Sequence, residues 1–216
     1  SRSAGDVGGS DTGAGRGVRL MRDVAAYYLN GARMVSVTEA LAICGLRSFE
    51  HVPPDVLEKA RVRGQAVHEF LELLDLGLVD ADDASPEIAG YVGAYVDFVD
   101  ASLFHVMHCE RVVRNETHGY AGTLDRTGTF RGGKLAVVDI KCVAALDPAT
   151  GLQLAGYAEA IRDEGPLDRF ALQLRPDGSY RLERYESRQD VHDFIAAVRV
   201  ARWRLEHGLA SLEDLT

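Results

Sequence analysis

The stretch Val137-Val138-Asp139-Ile140-Lys141-Cys142 places an acid and a base two positions apart inside an apolar run. Side chains alternate between the faces of a strand, so Val138, Ile140 and Cys142 share one face and Val137, Asp139 and Lys141 the other. A carboxylate and an ammonium on such a face cost desolvation unless they pair or bind something. The bland reading is a structural ion pair at a strand end. Gly122-Thr123-Leu124-Asp125 adds a second acid after small residues. Antiparallel pairing across Gly132-Gly133 lets Asp125 approach Asp139 on the same face. Two adjacent carboxylates repel unless a proton or a metal compensates. Mg²⁺ and Mn²⁺ take oxygen ligands, at about 2.0–2.1 Å for Mg²⁺. A neighbouring Lys141 then orients water or neutralises charge growing on a phosphate.

Helices must supply the remaining groups. Gln153 and Tyr157 stand at i and i+4, on one face of a helix read over Pro148 to Glu164. Taken alone they are a surface amide beside a partly buried tyrosine. Pro53-Pro54-Asp55 opens a long helix that ends at Gly77, with an inner stripe of Leu57, Gly64, Val67, His68, Leu71 and Leu74. His68 therefore faces inward, either as a satisfied core histidine or as a ligand. Ser85-Pro86-Glu87 opens another helix. Val106 to Val113, Tyr120 to Phe130 and Lys134 to Cys142 read as three strands. Arg169 to Leu174 and Tyr180 to Tyr185 flank the turn Pro176-Asp177-Gly178, and a last amphipathic helix runs through Val191, Phe194, Ile195, Val198 and Leu205. Upstream, Asn30-Gly31 predicts a tight hairpin, and Ser36 or Thr38 caps a short helix stopping near Gly45. No fixed-period repeat is present, which excludes a solenoid.

The 216 residues, 46% apolar and 26% charged, fit one folded domain, expected over residues 18–216. Residues 1–17 hold six glycines and no apolar core, reading as a flexible Gly/Ser-rich tail and not a signal peptide. No apolar run approaches the ~20 residues of a membrane span. Three cysteines without a CxxC predict reduced thiols in a cytoplasmic setting and exclude an all-cysteine iron–sulfur cluster. The net charge of −9 is regional: between Gly64 and Glu110 there are ten acids and no Lys or Arg. Elsewhere 24 basic residues meet 23 acidic ones, so a basic face remains available for nucleic acid.

Taken in order, these segments resemble the PD-(D/E)xK nuclease superfamily, in particular its RecB-like and phage-exonuclease branch. The matches are Ser36-Val37-Thr38-Glu39, Arg63-Gly64-Gln65-Ala66-Val67-His68-Glu69, Gly122-Thr123-Leu124-Asp125-Arg126, Asp139-Ile140-Lys141 and Gln153-Leu154-Ala155-Gly156-Tyr157. The resemblance spans about residues 27 to 205. The resemblance implies an α/β fold with a restriction-endonuclease-like αβββαβ core, a central mixed sheet flanked by helices, plus the hairpin and extra helices. It also implies roles: Asp125 and Asp139 as metal ligands with the Ile140 carbonyl, and His68 completing that site. Lys141 positions or activates the attacking water, while Gln153 and Tyr157 hold the scissile strand or orient Lys141. Glu116 stands where some relatives keep an additional acid.

Two departures stand out. The "PD" of the superfamily is Leu124-Asp125 here, and the cysteine quartet of cluster-bearing members is missing. The expected activity is a Mg²⁺- or Mn²⁺-dependent deoxyribonuclease of bacterial or phage origin, acting in recombination and repair from the ends of linear duplex or single-stranded DNA. Arg111, Arg114, Arg126, Arg131 and Lys134 are candidate phosphate contacts. A recombination or replication protein and a homo-oligomer are compatible partners. The competing readings are a structure- or sequence-specific endonuclease on the same core, and an inactive nuclease-like module that binds DNA or protein.

Overall fold

The computed structural model describes residues 27–48 and 52–212, so the expected tail at residues 1–17 lies outside the described residues. The chain enters through β1 (Tyr27–Leu29) and β2 (Ala32–Ser36), joined by Asn30 and Gly31 at φ 51° and 80°. Both values are left-handed, as a type I′ turn requires, which explains why Asn-Gly sits there. Ser36 then caps α1 (Val37–Ile43) in a reciprocal box with Glu39: its hydroxyl accepts from the Glu39 amide and its own amide donates to the Glu39 carboxylate.

Helix α2 (Pro54–Asp75) and helix α3 (Ala89–Ser102) precede the strands β3 (His105–Asn115), β4 (Tyr120–Thr129) and β5 (Leu135–Lys141). After them come α4 (Thr150–Ala160), β6 (Asp168–Leu174), β7 (Tyr180–Arg184) and α5 (Gln189–Glu206). Among the described residues these strands form one mixed sheet in the order β1-β2-β4-β5-β6-β7, with β3 on the other side of β4. Strands β5 and β6 are parallel and need a crossover, which α4 supplies. The αβββαβ core expected from the sequence is therefore present, with the hairpin, extra helices and β7 around it.

Each face of the sheet buries its own apolar cluster. Val137, Leu154, Phe194 and Val198 pack with α1, α4 and α5 on one side. Val138, Ile140, Val67, Leu71 and Phe98 pack with α2 and α3 on the other. The opposite fates of Val137 and Val138 follow from the two-residue period of a strand. Among the described residues no helix is long and apolar enough to cross a membrane.

One feature of β4 positions everything that follows. Strand β2 pairs with it at Tyr120 and Ala121, and β5 pairs with it from Arg126 to Thr129. Between them, Gly122 to Asp125 face an opening where β2 and β5 diverge. The C-terminal end of β5 and the polar face of α4 border this opening.

Candidate active site

The β4–β5 register pairs Arg126 with Val138, so one further step sets Asp125 opposite Asp139. The ladder stops there, and the Asp125 side chain takes over the pairing: its Oδ2 accepts from the Ile140 amide at 2.6 Å. The same end of β5 presents Lys141, whose Nζ lies 2.7 Å from Asp139 Oδ2 and donates to Gln153 Oε1 at 3.0 Å. Gln153 uses both amide hydrogens, donating to Asp139 Oδ1 and to the Tyr157 oxygen, each at 3.3 Å. Asp139 is only 3% exposed, so the ammonium is its main compensation. Asp139 Oδ2 has no further hydrogen-bond partner of good geometry. Burial pushes the Tyr157 phenol well up, so it stays protonated.

Opposite this set, α2 delivers His68. Its Nε2 lies 3.2 Å from the Ile140 carbonyl, while Nδ1 lies 3.5 Å from Glu110 Oε1 and 3.6 Å from Asp125 Oδ1. An Nε2–H donated to the carbonyl leaves the Nδ1 lone pair facing the acids, the usual arrangement of a metal-binding imidazole. One atom each from His68, Glu110 and Asp125 lie within 4.8 Å of one another. Two neighbouring ligands of an octahedral ion at about 2.1 Å stand about 3 Å apart, close to these separations. Burial first, then the Asp139 and Glu110 carboxylates, push the Asp125 carboxyl up to about 6 against the pull of His68 and Lys141. Burial depresses His68, yet Asp125 and Glu110 outweigh it and hold the imidazole above its usual value. Both shifts favour a proton held within the cluster, and a divalent cation competes with that proton. Two carboxylates and an imidazole are donors of the kind that hold a divalent cation.

Glu110 was not singled out from the sequence. It sits inside β3 at φ 47°, a left-handed conformation rare outside glycine. Its neighbours pair as Cys109 with Arg126 and Arg111 with Leu124, yet Glu110 and Asp125 form no ladder pair. Both strands change face at this point, since Leu124 lies in the α1/α4/α5 cluster whereas Arg126 reaches Asp75 of α2. The two acids stand at that crossover. Counting back from the turn between Asn115 and Tyr120 would have paired 110 with 125 and found the signal.

The remaining expected residues fall elsewhere. Glu116 is exposed in the β3–β4 turn, nine positions before Asp125; counted from Tyr120, Asp125 lies five residues along β4, roughly 17 Å at strand rise. It is not part of the cluster. Arg126 is fully buried between Asp75 and Glu110, so it cannot touch a phosphate of DNA. Arg111 pairs with Glu164 and Lys134 with Asp168, while Arg114 and Arg131 are exposed on β3 and in the β4–β5 turn. None of these five lines the cleft of about 270 Å³ over the site, which Arg47, Arg61, Gly64 and Gln65 share with His68, Asp125, Asp139, Lys141 and Gln153. A larger pocket of about 490 Å³ beside β6 and α5 holds arginines mostly engaged by Glu159, Asp168, Glu186 and Asp190.

Gly122 is required for the Tyr157 side of the site. A Cβ there would stand 2.8 Å from Tyr157 Cε1 and 3.1 Å from Val37 Cγ2, both on buried side chains. Gly122→Ala is expected to cost about 1–3 kcal/mol by overpacking and to lower the melting temperature by roughly 3–10 °C. Thermal unfolding checks it, and an unchanged melting temperature would contradict the packing described.

No protein-family profile matches the chain, and no curated protein matches it in sequence. Solved structures do. The crystal structure of a "putative exonuclease" from Eubacterium rectale superposes with a TM-score of 0.53 at 11% identity, over 82% of this chain and 83% of that one. An alkaline exonuclease from Laribacter hongkongensis aligns at a TM-score of 0.36 and 14% identity, over 79% of this chain and 93% of that one. The likeness to the Eubacterium rectale protein establishes a shared fold, a central mixed sheet flanked by helices.

Proposed function

We propose that this protein is a divalent-metal-dependent deoxyribonuclease of the PD-(D/E)xK type, hydrolysing phosphodiester bonds from DNA ends. The observation that carries this reading is one cleft in which Lys141, paired with Asp139 at 2.7 Å, stands on β5 beside the His68–Glu110–Asp125 cluster. His68, Glu110 and Asp125 would hold the ion, with Asp139 and the Ile140 carbonyl next to it. Such an ion, Mg²⁺ or Mn²⁺, would supply Lewis-acid polarisation of a phosphoryl oxygen and a lowered pKa for the attacking water.

The chain's own groups do the rest. Asp139 and Gln153 fix the Lys141 ammonium so that it points into the cleft, where it orients water and stabilises negative charge growing on phosphorus. Tyr157, protonated and held by Gln153, fixes the amide whose oxygen receives Lys141. Arg47 and Arg61 line the cleft in place of the arginines expected from sequence and are candidates for phosphate contact, Arg61 by exchanging its Glu58 partner for a phosphate. The name given to the Eubacterium rectale protein supports exonuclease action. The acids of the stretch between Gly64 and Glu110 other than Asp75 and Glu110, which pair with Arg126, would repel duplex and narrow its approach.

The test offers linear duplex, linear single strands and closed circles of both, each with Mg²⁺, Mn²⁺ or EDTA. Linear DNA is expected to shorten to nucleotides or short oligonucleotides, only with metal, while circles persist. Rapid linearisation of circles would replace the exonuclease by an endonuclease. DNA binding without any cleavage would favour the inactive module.

A further inference from the structure

Arg126 is the bulkiest fully buried side chain among the described residues. Its Nε lies 2.5 Å from Asp75 Oδ2, and its Nη1 lies 3.3 Å from Glu110 Oε1 and donates to the Asp125 carbonyl at 2.8 Å. Tyr95 closes the other end: its hydroxyl is 2.9 and 3.0 Å from the two Asp75 oxygens, and its ring lies 5.9 Å from the guanidinium carbon. Arg126 Nη2 is buried without a hydrogen-bond partner.

Stability alone does not account for this arrangement. A buried guanidinium with one nitrogen unsatisfied is costly, and apolar residues of similar volume often do as well or better in such a place. What the ion pairs do achieve is positional. Glu110 has a left-handed backbone in the middle of a strand and forms no ladder pair with Asp125. Arg126 reaches it from the adjacent strand. Asp75 lies seven residues after His68 on α2, two turns along the same face, so one helix anchors both sides of the acidic cluster.

We infer that Tyr95, Asp75 and Arg126 form a buried clamp that fixes Glu110 for the divalent ion, acting as positioning residues and never touching substrate. The inference rests on the metal-dependent reading above and adds a connected outer shell to it. Outer partners of metal ligands typically change affinity 10–100-fold when removed.

The decisive variant is Asp75→Asn in the full chain, which keeps the shape and the acceptor for Tyr95 but removes the charge that holds Arg126. Calorimetric titration with Mn²⁺ alone is expected to show a dissociation constant raised about 10–100-fold. Glu110→Gln should weaken Mn²⁺ comparably, and the double variant should bind no worse than Glu110→Gln. A purely structural Asp75 would lower the melting temperature yet leave that non-additivity absent. If Asp75→Asn does not fold, Tyr95→Phe removes one hydroxyl from the same clamp, with a smaller loss that must also vanish in the Glu110→Gln background. Wild-type Mn²⁺ affinity in the folded clamp variant, or losses that multiply with Glu110→Gln, would overturn the inference. Wild-type protein that binds Mn²⁺ without cutting DNA would remove the nuclease reading and leave the clamp standing. Unchanged affinity in the clamp variant together with intact cleavage would do the reverse.

Discussion

An Asp125→Asn variant is expected to be more stable than the wild type at pH 8 in the absence of metal, and to bind no Mn²⁺. In the folded protein the Asp125 carboxyl titrates at about 6, against about 3.9 in an unfolded chain. Folding therefore takes up a proton between those values. Stability from this group is highest below about pH 4, declines as pH rises to about 6, and stays low above. The displacement corresponds to roughly 3 kcal/mol, an upper figure because the side chain keeps some contact with water. Asparagine can still accept from the Ile140 amide but carries no charge to be buried beside Asp139 and Glu110. The variant should gain about 1–3 kcal/mol at pH 8 and little near pH 4, as urea unfolding at the two pH values would show. In the wild type, added Mn²⁺ should raise the melting temperature at pH 8 and barely do so below pH 6, where it competes with the proton. Retained Mn²⁺ stabilisation in Asp125→Asn would remove Asp125 from the metal site.

Lys141→Ala is expected to lower cleavage by about 10²–10⁴-fold while leaving Mn²⁺ affinity within a few-fold of wild type. The ammonium touches Asp139 and Gln153 but none of the three clustered donor atoms, which is why the two effects should separate. Without metal the variant leaves Asp139 buried without its cation, a loss of about 3–5 kcal/mol for a fully buried pair and less here because Lys141 is 15% exposed. Lys141→Arg separates stability from chemistry, since guanidinium can restore the ion pair but not a compact, mobile point charge. Its melting temperature should return toward wild type with cleavage still low. Full activity in Lys141→Arg would mean that any cation suffices there.

Much of this site was legible in order along the chain, and the illegible parts share a cause. Asp139, Lys141 and Asp125 were readable because charged residues interrupting apolar strands violate the period-two pattern, and the Gly132-Gly133 turn sets the register that brings Asp125 opposite Asp139. The hairpin at Asn30-Gly31, the Ser36 cap and the limits of α2 followed from local backbone chemistry. Glu110 was hidden because a strand normally keeps its residues on alternating faces, whereas here a left-handed residue breaks the alternation. Arg126 looked like a surface contact because arginine is seldom buried, and its burial depends on Asp75 and Tyr95, 51 and 31 positions earlier in the chain. Contacts of that separation are set by how α2 and α3 pack on the sheet, which no short motif encodes.

The proposed metal site admits a direct measurement: crystals grown at pH 8 and soaked in Mn²⁺, with anomalous scattering recorded at a wavelength where manganese contributes. The arrangement of His68, Glu110 and Asp125 predicts a peak within coordination distance of His68 Nδ1 and of an oxygen from each acid, lost in Asp125→Asn crystals. A peak elsewhere in the molecule, or none at saturating Mn²⁺, would contradict the site and with it the catalytic reading built on it.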